Sequence, residues 1–153
     1  MAAGSKKLYL TMKILLFANT AWYLYNFRLP LAKVLQSMGH EVILVSPFDK
    51  YSKRLEQTGF RWIEFPLSRK GMNPVREIAS ILKLFNLYKK EKPDLVHHFT
   101  IKCVLYGSIV AKWIKIRMIV NSITGLGYMF TGNSLAQRLL RPITILLYRI
   151  ALG

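Results

Sequence analysis

Hydrophobic residues along this chain fall into short continuous runs, which are separated by longer stretches of mixed apolar and polar residues. The short runs predict five β-strands, at residues 13–18, 42–46, 62–65, 94–99 and 116–121. In the longer stretches, apolar residues recur at helical spacing instead. Because strands that alternate with helices are typical of βαβ units, the pattern predicts an α/β fold: a Rossmann-like three-layer domain with a mostly parallel sheet.

The stretches after the first and third strands predict amphipathic helices. The first is expected to follow a turn at Asn19–Asn26, with Pro30 in its opening turn and Gly39 as its stop. The second begins at Asn73 and Pro74, a capping residue and a favoured first helical residue. Positions expected to face the core are Phe27, Leu31, Val34, Leu35 and Met38 in the first helix and Val75, Ile78, Ile81, Leu82, Phe85 and Tyr88 in the second. Further helices are expected at 51–58, at 104–114 and from about residue 134.

Charge and hydropathy together narrow the classes of partner. The chain has 23 Lys and Arg against 7 Asp and Glu, and a net charge of +16 attracts nucleic acid, anionic lipid head groups or phosphorylated substrates. Yet 52% of its residues are hydrophobic and its mean hydropathy is +0.24. Since nucleic-acid-binding modules usually cluster their basic residues in a polar stripe, the combination favours an anionic membrane surface and no nucleic acid.

The N-terminal residues resemble a secretion signal only superficially. Lys6 and Lys7 precede an apolar run, but Lys13 interrupts that run where the first buried strand should begin. We therefore expect an extension at residues 1–11 and a single domain at residues 12–153. No uncharged apolar stretch reaches the ~18 residues of a membrane span, and the single Cys103 fits a reducing compartment. The predicted location is cytoplasmic, peripheral on the cytoplasmic face of the membrane.

The candidate site residues lie in turns that follow strands. Doubly wound parallel sheets bind ligands at the carboxyl ends of their strands. The turn after the first strand lacks the G-x-G-x-x-G of dinucleotide-binding domains, so its backbone cannot approach a pyrophosphate closely, and a different or bulkier ligand is expected. The substrate-binding candidates are Asn19, Thr20, His97, His98, Thr100, Thr124, Gly125 and Gly127.

Each kind of candidate also has a structural explanation. Asn and Thr are common helix caps, and a glycine turn is either ordinary or a loop whose backbone N–H groups face an anion. His97 and His98 alternate on one strand, so one is a core or rim histidine while the one nearest the strand end can bind a sugar hydroxyl. Arg69 and Lys70 are either a solvated charge pair or a contact to a lipid diphosphate. No carboxylate cluster lies near the histidines in sequence, so no metal is expected, and the catalytic residues stay unknown.

Five segments follow one another from about Met12 to the end of the chain: FANTAWYLYNFRLPLAK, GHEVILVSP, GFRWIEFPLSRKGMNP, PDLVHHFTIK and NSITGLGYMF. In order and spacing they resemble the N-terminal half of bacterial glycosyltransferases of family 4, which have the two-domain GT-B architecture. The resemblance is greatest to the branch that transfers sugars, often N-acetylated hexosamines, to acceptors linked to polyprenyl diphosphate.

This resemblance implies that the chain is the acceptor-binding half of a retaining glycosyltransferase. The nucleotide-sugar would be a co-substrate, with no cofactor, and a C-terminal donor-binding domain or chain would complete the site. The family's Glu-x7-Glu motif and its basic pair for the donor diphosphate belong to that half, so the isolated chain is expected to be inactive. Several relatives have a His after the fifth strand, where this chain has Asn121, Ser122 and Thr124, so that role does not carry over.

Other functions remain open at this point. The chain can instead be a non-catalytic membrane- or partner-binding subunit of a split glycosyltransferase that recruits a separate donor-binding chain. A basic nucleic-acid-binding domain is a further alternative, although no recognised motif supports it. A dinucleotide oxidoreductase is disfavoured by the turn after the first strand.

Overall fold

The computed structural model describes residues 10–67, 74–123 and 149 of the chain. Within these residues, five strands form one all-parallel sheet in the order β3-β2-β1-β4-β5. The strands are β1 (Lys13–Phe17), β2 (Glu41–Ser46), β3 (Arg61–Glu64), β4 (Leu95–Phe99) and β5 (Met118–Ser122). The helices are α1 (Ala21–Tyr23), a π-helical turn (Leu24–Arg28), α2 (Leu29–Ser37), α3 (Ser52–Glu56), α4 (Pro74–Glu91) and α5 (Ile101–Trp113).

The predicted α/β class, the parallel sheet and its five strands are therefore confirmed. Strand order reverses between β1 and β4, which is the switch point where doubly wound sheets bind ligands. No helix in the described part of the chain combines the length and apolar character needed to span a bilayer.

The sheet is covered on both faces, and β1 shows why its sequence is continuously apolar. Ile14 and Leu16 pack on the side of α1, α2 and α3, whereas Leu15 and Phe17 pack on the side of α4 and α5. All of them are at most 1% exposed. Successive side chains of a strand point to opposite faces, so a strand buried on both sides needs apolar residues throughout.

The first helix begins earlier than predicted. Thr20 is its N-cap, and its Oγ1 accepts a hydrogen bond from the backbone N–H of Tyr23 at 3.1 Å. The segment 21–28, most of which was predicted to be a turn, is therefore helical. It passes through the π-helical turn directly before Pro30, whose ring cannot donate a backbone hydrogen bond.

The predicted core face of this helix is wrong at three positions. Phe27, Val34 and Met38 are 52%, 56% and 45% exposed, while Leu24 and Ala32 are fully buried. Leu24 and Ala32 are separated by a regular helical interval (i, i+8), so the buried stripe runs through them. Leu24 was predicted to lie in the turn, and the stripe chosen from the sequence was therefore a neighbouring one, at the edge of the true core face.

The predicted core face of α4 is correct only in its C-terminal half. Tyr88 is fully buried, and Ile81 and Phe85 pack against the core, but the buried Leu84 was not predicted. The exposed apolar residues of the N-terminal half, which were wrongly predicted to face the core, are Val75, Ile78 and Leu82. The contacts of α4 with the core begin at Ile81, so its first two turns carry apolar side chains that the described core does not cover.

Helix α5 lies very close to β4 at Gly107. A Cβ atom built on Gly107 would lie 2.4 Å from Cδ2 and Nε2 of the buried His98 ring. That is far inside the ~3.5–4.0 Å of a favourable non-bonded contact. The absence of a side chain at residue 107 therefore allows this packing.

We expect Gly107→Ala to lower the free energy of unfolding by about 1–3 kcal/mol, as overpacking does in cores. A decrease in the free energy of unfolding would distinguish overpacking from helix propensity. Helix propensity alone would make Gly107→Ala stabilising by up to about 1 kcal/mol. Urea denaturation measures the effect. Introduced into a His98→Ala background, where the ring is gone, Gly107→Ala should cost clearly less. An equal cost in both backgrounds would show that the contact with His98 is not the cause.

Candidate functional site

Polar side chains from several strand ends meet at the carboxyl edge of the sheet. Asn19 and Thr20 follow β1, Asp49 follows β2, His97 lies in β4 and Ser122 ends β5. Because every strand of the sheet is parallel, these ends lie along the same edge. The structure thus brings together the candidates predicted after the first and fourth strands and adds residues from the second and fifth.

His97 lies at the rim of the sheet on the α1–α2 side. Its Nε2 is 2.8 Å from Oγ of Ser122, and its ring lies 4.1 Å from the Phe99 ring, centroid to centroid. Burial, and secondly the positive charge of Arg28, lower the pKa of His97 from 6.5 to about 4. At neutral pH the imidazole is therefore uncharged, suited to hydrogen bonding a hydroxyl but not to acting as a cationic acid.

Arg28 lies beside His97 and was missed by the sequence analysis. Its guanidinium carbon is 4.5 Å from the Phe99 ring centroid and 5.1 Å from that of Tyr23, and its Nη2 donates to the Tyr23 hydroxyl at 2.5 Å. Its Nε is buried and has no hydrogen-bond partner among the described residues. Since buried donors normally find an acceptor, this N–H is a polar group that the described protein does not use. In the sequence, Arg28 is a single cation within an apolar helical pattern, which is a weak signal.

His98 points to the opposite face and is fully buried. Its Nε2 is 2.9 Å from the Tyr88 hydroxyl and its Nδ1 is 2.8 Å from Oδ1 of Asn121, which also accepts from Ser108 Oγ at 3.1 Å. Because Oδ1 only accepts, Nδ1 carries the proton and Nε2 accepts from Tyr88. Both ring nitrogens are thus engaged within the protein, and His98 links β4 to β5 and α4. The expectation that the histidine nearest the strand end binds a sugar hydroxyl is therefore wrong: His98 is that residue, and it is a core histidine.

Thr100 has a strained backbone at the start of α5. Its φ of 72° and ψ of 156° fall in a region that residues other than glycine rarely adopt. Its hydroxyl is buried near the Cys103 thiol, in a contact that falls short of a well-formed hydrogen bond. Burial raises the pKa of that thiol to about 12, with the Thr100 hydroxyl opposing, so Cys103 is not a nucleophile at neutral pH. Strain of this kind occurs preferentially at functional sites.

A cleft of about 590 Å³ opens between the first turn and the loop that joins β2 to α3. Its lining residues are Asn19, Thr20, Trp22, Tyr23, Asp49, Lys50 and Tyr51. Asn19 and Thr20 were predicted from the sequence as site residues, whereas the others were not, because the loop after β2 carries neither histidine nor glycine. The only indication in the sequence that this loop could line a binding site was its mixture of aromatic and charged residues, Phe48 to Tyr51.

The other candidates fall outside the described residues. These are Arg69, Lys70, Thr124, Gly125 and Gly127, and their proposed roles stay predictions. Within residues 10–67 and 74–123, no three His, Cys, Asp or Glu side chains are grouped as a metal site would need.

A sequence profile of the family described as "Glycosyl transferase 4-like" matches residues 13–152. The chain is 26% identical over 140 residues to the N,N'-diacetylbacillosaminyl-diphospho-undecaprenol alpha-1,3-N-acetylgalactosaminyltransferase of Campylobacter jejuni, covering 92% of this chain and 37% of that protein. A glycosyltransferase from Rickettsia africae ESF-5 superposes with a TM-score of 0.59 at 20% identity, covering 83% of this chain and 35% of the other. A UDP-N-acetylglucosamine 2-epimerase also gives 0.59, at 14% identity, covering 90% and 38%.

The two superpositions show that the chain has the Rossmann-like fold found in these enzymes. In each of the three comparisons the chain spans just over a third of the other protein's length, at 37%, 35% and 38%.

We expect His98 to make the protein less stable in acid. Burial first, and the neighbouring His97 in addition, lower its pKa to about 4 against 6.5 for an ordinary histidine, while the hydrogen bond to Asn121 opposes the shift. The unfolded chain therefore binds the proton first. The stabilisation is fully present above pH 6.5 and is lost as the pH falls towards 4, by an amount on the order of 3 kcal/mol.

Urea denaturation across this pH range tests the expectation. His98→Gln should flatten the dependence of the free energy of unfolding on pH, leaving the contribution of the partly buried His97, whose pKa is also lowered. The matched control is His40→Gln, on β2's amino-terminal side, where the imidazole Nδ1 accepts from Met12 and does not contact His98. If His98→Gln and His40→Gln change the slope equally, the acid sensitivity does not come from the buried network.

Proposed function

Since the chain belongs to the glycosyl transferase 4-like family, we propose that it is the acceptor-binding half of a retaining glycosyltransferase. The full reaction would move a sugar from a nucleotide-sugar to a saccharide acceptor, which we propose to be linked to polyprenyl diphosphate. The name of the Campylobacter jejuni relative specifies an acceptor of that kind for that protein. The proposal for this chain rests on the family and on the chemistry of its own site.

The observation that carries the proposal is the set of groups at the carboxyl edge of the sheet. A cleft lined by aromatic, amide, carboxylate and ammonium groups lies there. Its lining residue Tyr23 is hydrogen-bonded to Arg28, which in turn lies beside the neutral His97 and has one N–H without a partner among the described residues. Such a mixture of apolar surface and a few polar groups is typical of small-molecule sites. It suits a ligand that has many hydroxyls and one anionic end.

In this proposal the described residues supply one side of a reaction cleft, and sugar transfer needs two. Donor and acceptor must be held together, shielded from water, and the leaving diphosphate must be stabilised by fixed positive or dipolar groups. We assign that second part to a donor-binding domain or a separate chain. In this division of roles the edge containing His97 positions the attacking hydroxyl of the acceptor, and no catalytic residue is assigned.

The outer side of α4 supports a membrane-bound acceptor. Ile78 and Leu82 are 58% and 52% exposed, one turn apart on the same side of the helix. Arg76 and Lys83 are also exposed but lie further round the helix, where they line a groove of about 480 Å³ that includes Phe48. An apolar side and a basic side on one helix are typical of a helix that lies on an anionic bilayer, where each basic residue contributes about 1 kcal/mol.

We expect the purified 153-residue chain to bind a short polyprenyl-diphosphate-linked N-acetylglucosamine and to transfer no sugar to it from UDP-N-acetylhexosamines. Binding is measured by NMR titration in detergent, and transfer by mass spectrometry of the lipid product. Undecorated polyprenyl monophosphate is the control ligand. Transfer by the chain alone, or tighter binding to the nucleotide-sugar than to the lipid-linked acceptor, would contradict the assignment to the acceptor half. Co-purification with a second chain that carries Glu-x7-Glu, without acceptor binding, would favour the non-catalytic subunit.

We also expect the chain to float with anionic phosphatidylglycerol vesicles and not with neutral phosphatidylcholine vesicles. The double variant Ile78→Ser/Leu82→Ser should weaken this binding at least about tenfold, because two large apolar side chains no longer enter the bilayer. The control is Met38→Ser, which removes an apolar side chain that is 45% exposed at the C-cap of α2. Equal flotation with both kinds of vesicle, or equal loss in the α4 and α2 variants, would remove α4 as the membrane contact.

A further inference from the structure

The cleft next to the first turn contains side chains suited to a sugar ring. A pyranose has an apolar face of C–H groups and a rim of hydroxyls, so it is recognised by aromatic surface combined with hydrogen-bonding groups at the edge. Trp22 contributes the aromatic surface, since it is 43% exposed where it lines the cleft. Asn19, Asp49 and Lys50 contribute an amide, a carboxylate and an ammonium group to the same lining. The volume of about 590 Å³ lies within the range of small-molecule sites.

One carboxylate holds the two walls of this cleft together. Asp49 Oδ2 accepts from the backbone N–H of Trp22 at 2.9 Å, and Asp49 Oδ1 accepts from the backbone N–H of Tyr51 at 2.7 Å. The first bond joins residues that are 27 positions apart. The walls are thus fixed relative to each other before any ligand enters, which lowers the entropic cost of binding.

The aromatic side chains are also held in place. Trp22 packs edge-to-face on Phe27, with ring centroids 5.3 Å apart, and its carbonyl accepts from Asn26 Nδ2 at 2.8 Å. Tyr23 is held through its hydroxyl by Arg28 and packs against Phe99 at 5.8 Å. The indole of Trp22 therefore has a defined orientation while it stays accessible from the cleft.

The hydrogen bonding at the start of α1 argues against a phosphate in this cleft. Helix N-termini bind phosphate through backbone N–H groups that have no other partner. Here the N–H of Trp22 is taken by Asp49 and the N–H of Tyr23 is taken by Thr20. The Asp49 carboxylate and the Lys50 ammonium place opposite charges in the lining, so the cleft has no net positive charge that would attract a diphosphate. The chemistry that fits is a neutral ring with hydroxyls.

We propose that this cleft is the subsite for a neutral pyranose ring of the acceptor, with Trp22 as the stacking surface and Asp49 as the positioning residue. The assignment rests on the proposed function, because it gives that function a place for the acceptor sugar. It adds a specific residue, Trp22, that determines affinity for the sugar without touching the diphosphate or the lipid.

The test is an NMR titration of the ¹⁵N-labelled 153-residue chain with methyl N-acetyl-β-glucosaminide, methyl N-acetyl-α-galactosaminide and methyl β-glucoside. Saturable shifts are expected at the Trp22 indole N–H and at the backbone of residues 49–51 for at least one of these glycosides. Trp22→Ala should weaken its binding about three- to tenfold, which is the usual contribution of one aromatic contact, and Trp22→Phe should restore part of it. The matched control is Trp113→Ala, which removes another exposed tryptophan, 64% accessible, at the end of α5. That variant should bind like the original chain.

Should Trp22→Ala fail to fold, Trp22→Phe and the exposed Lys50→Ala replace it, and thermal unfolding is recorded for each variant. Glycoside binding of unchanged affinity in these variants would overturn the subsite. So would shifts at Trp22 caused by uridine diphosphate but by none of the glycosides, or no glycoside binding at all. In each case the proposed function still stands if the chain binds the lipid-linked acceptor. Loss of both glycoside and lipid-linked acceptor binding would overturn the two together.

Discussion

The structure depends on the burial of β1 on both faces of an all-parallel sheet. Ile14 to Phe17 are almost completely inaccessible, and β1 pairs with β2 on one side and β4 on the other. The apolar side chains on both faces of this central strand are buried by helices on both sides of the sheet. Such helices are the crossover connections between parallel strands. Parallel strands in turn bring their carboxyl ends to one edge, and every candidate site residue that the structure describes lies at that edge or directly below it.

The adjacent histidines show how this geometry assigns different roles to the same residue type. Neighbouring positions on a strand point to opposite faces. His98 enters the closely packed side under α5, where Tyr88 and Asn121 use both of its nitrogens. His97 stays at the rim with Ser122 and Arg28. Burial lowers the pKa of both, so the two rings are neutral at pH 7, but only His97 lies where a ligand can approach.

The sequence was sufficient for the fold, since the alternation of apolar runs and helical stretches gives the strands within a few residues, and the resemblance to family 4 glycosyltransferases is confirmed by the family match. It was insufficient for the helix faces and for half of the site. Phe27 and Val34 are exposed because the buried stripe of this helix runs through Leu24 and Ala32, and Leu24 was predicted to lie in the turn before the helix. Arg28 and Asp49 act through partners brought near by folding, and a bond between Asp49 and Trp22 leaves no local pattern.

The fold alone does not identify the ligand, because similar folds occur in glycosyltransferases and in a nucleotide-sugar epimerase. The difference has to lie in the turns at the carboxyl edge. A dinucleotide-binding turn leaves backbone N–H groups free at the start of its first helix, so that they can bind a pyrophosphate. In this chain the side chains of Thr20 and Asp49 already occupy two of those N–H groups. At this helix start, the backbone N–H groups of Trp22 and Tyr23 are therefore not available to a phosphate. The side chains of Trp22 and Tyr23 line the cleft, so a ligand there meets aromatic surface instead of backbone donors.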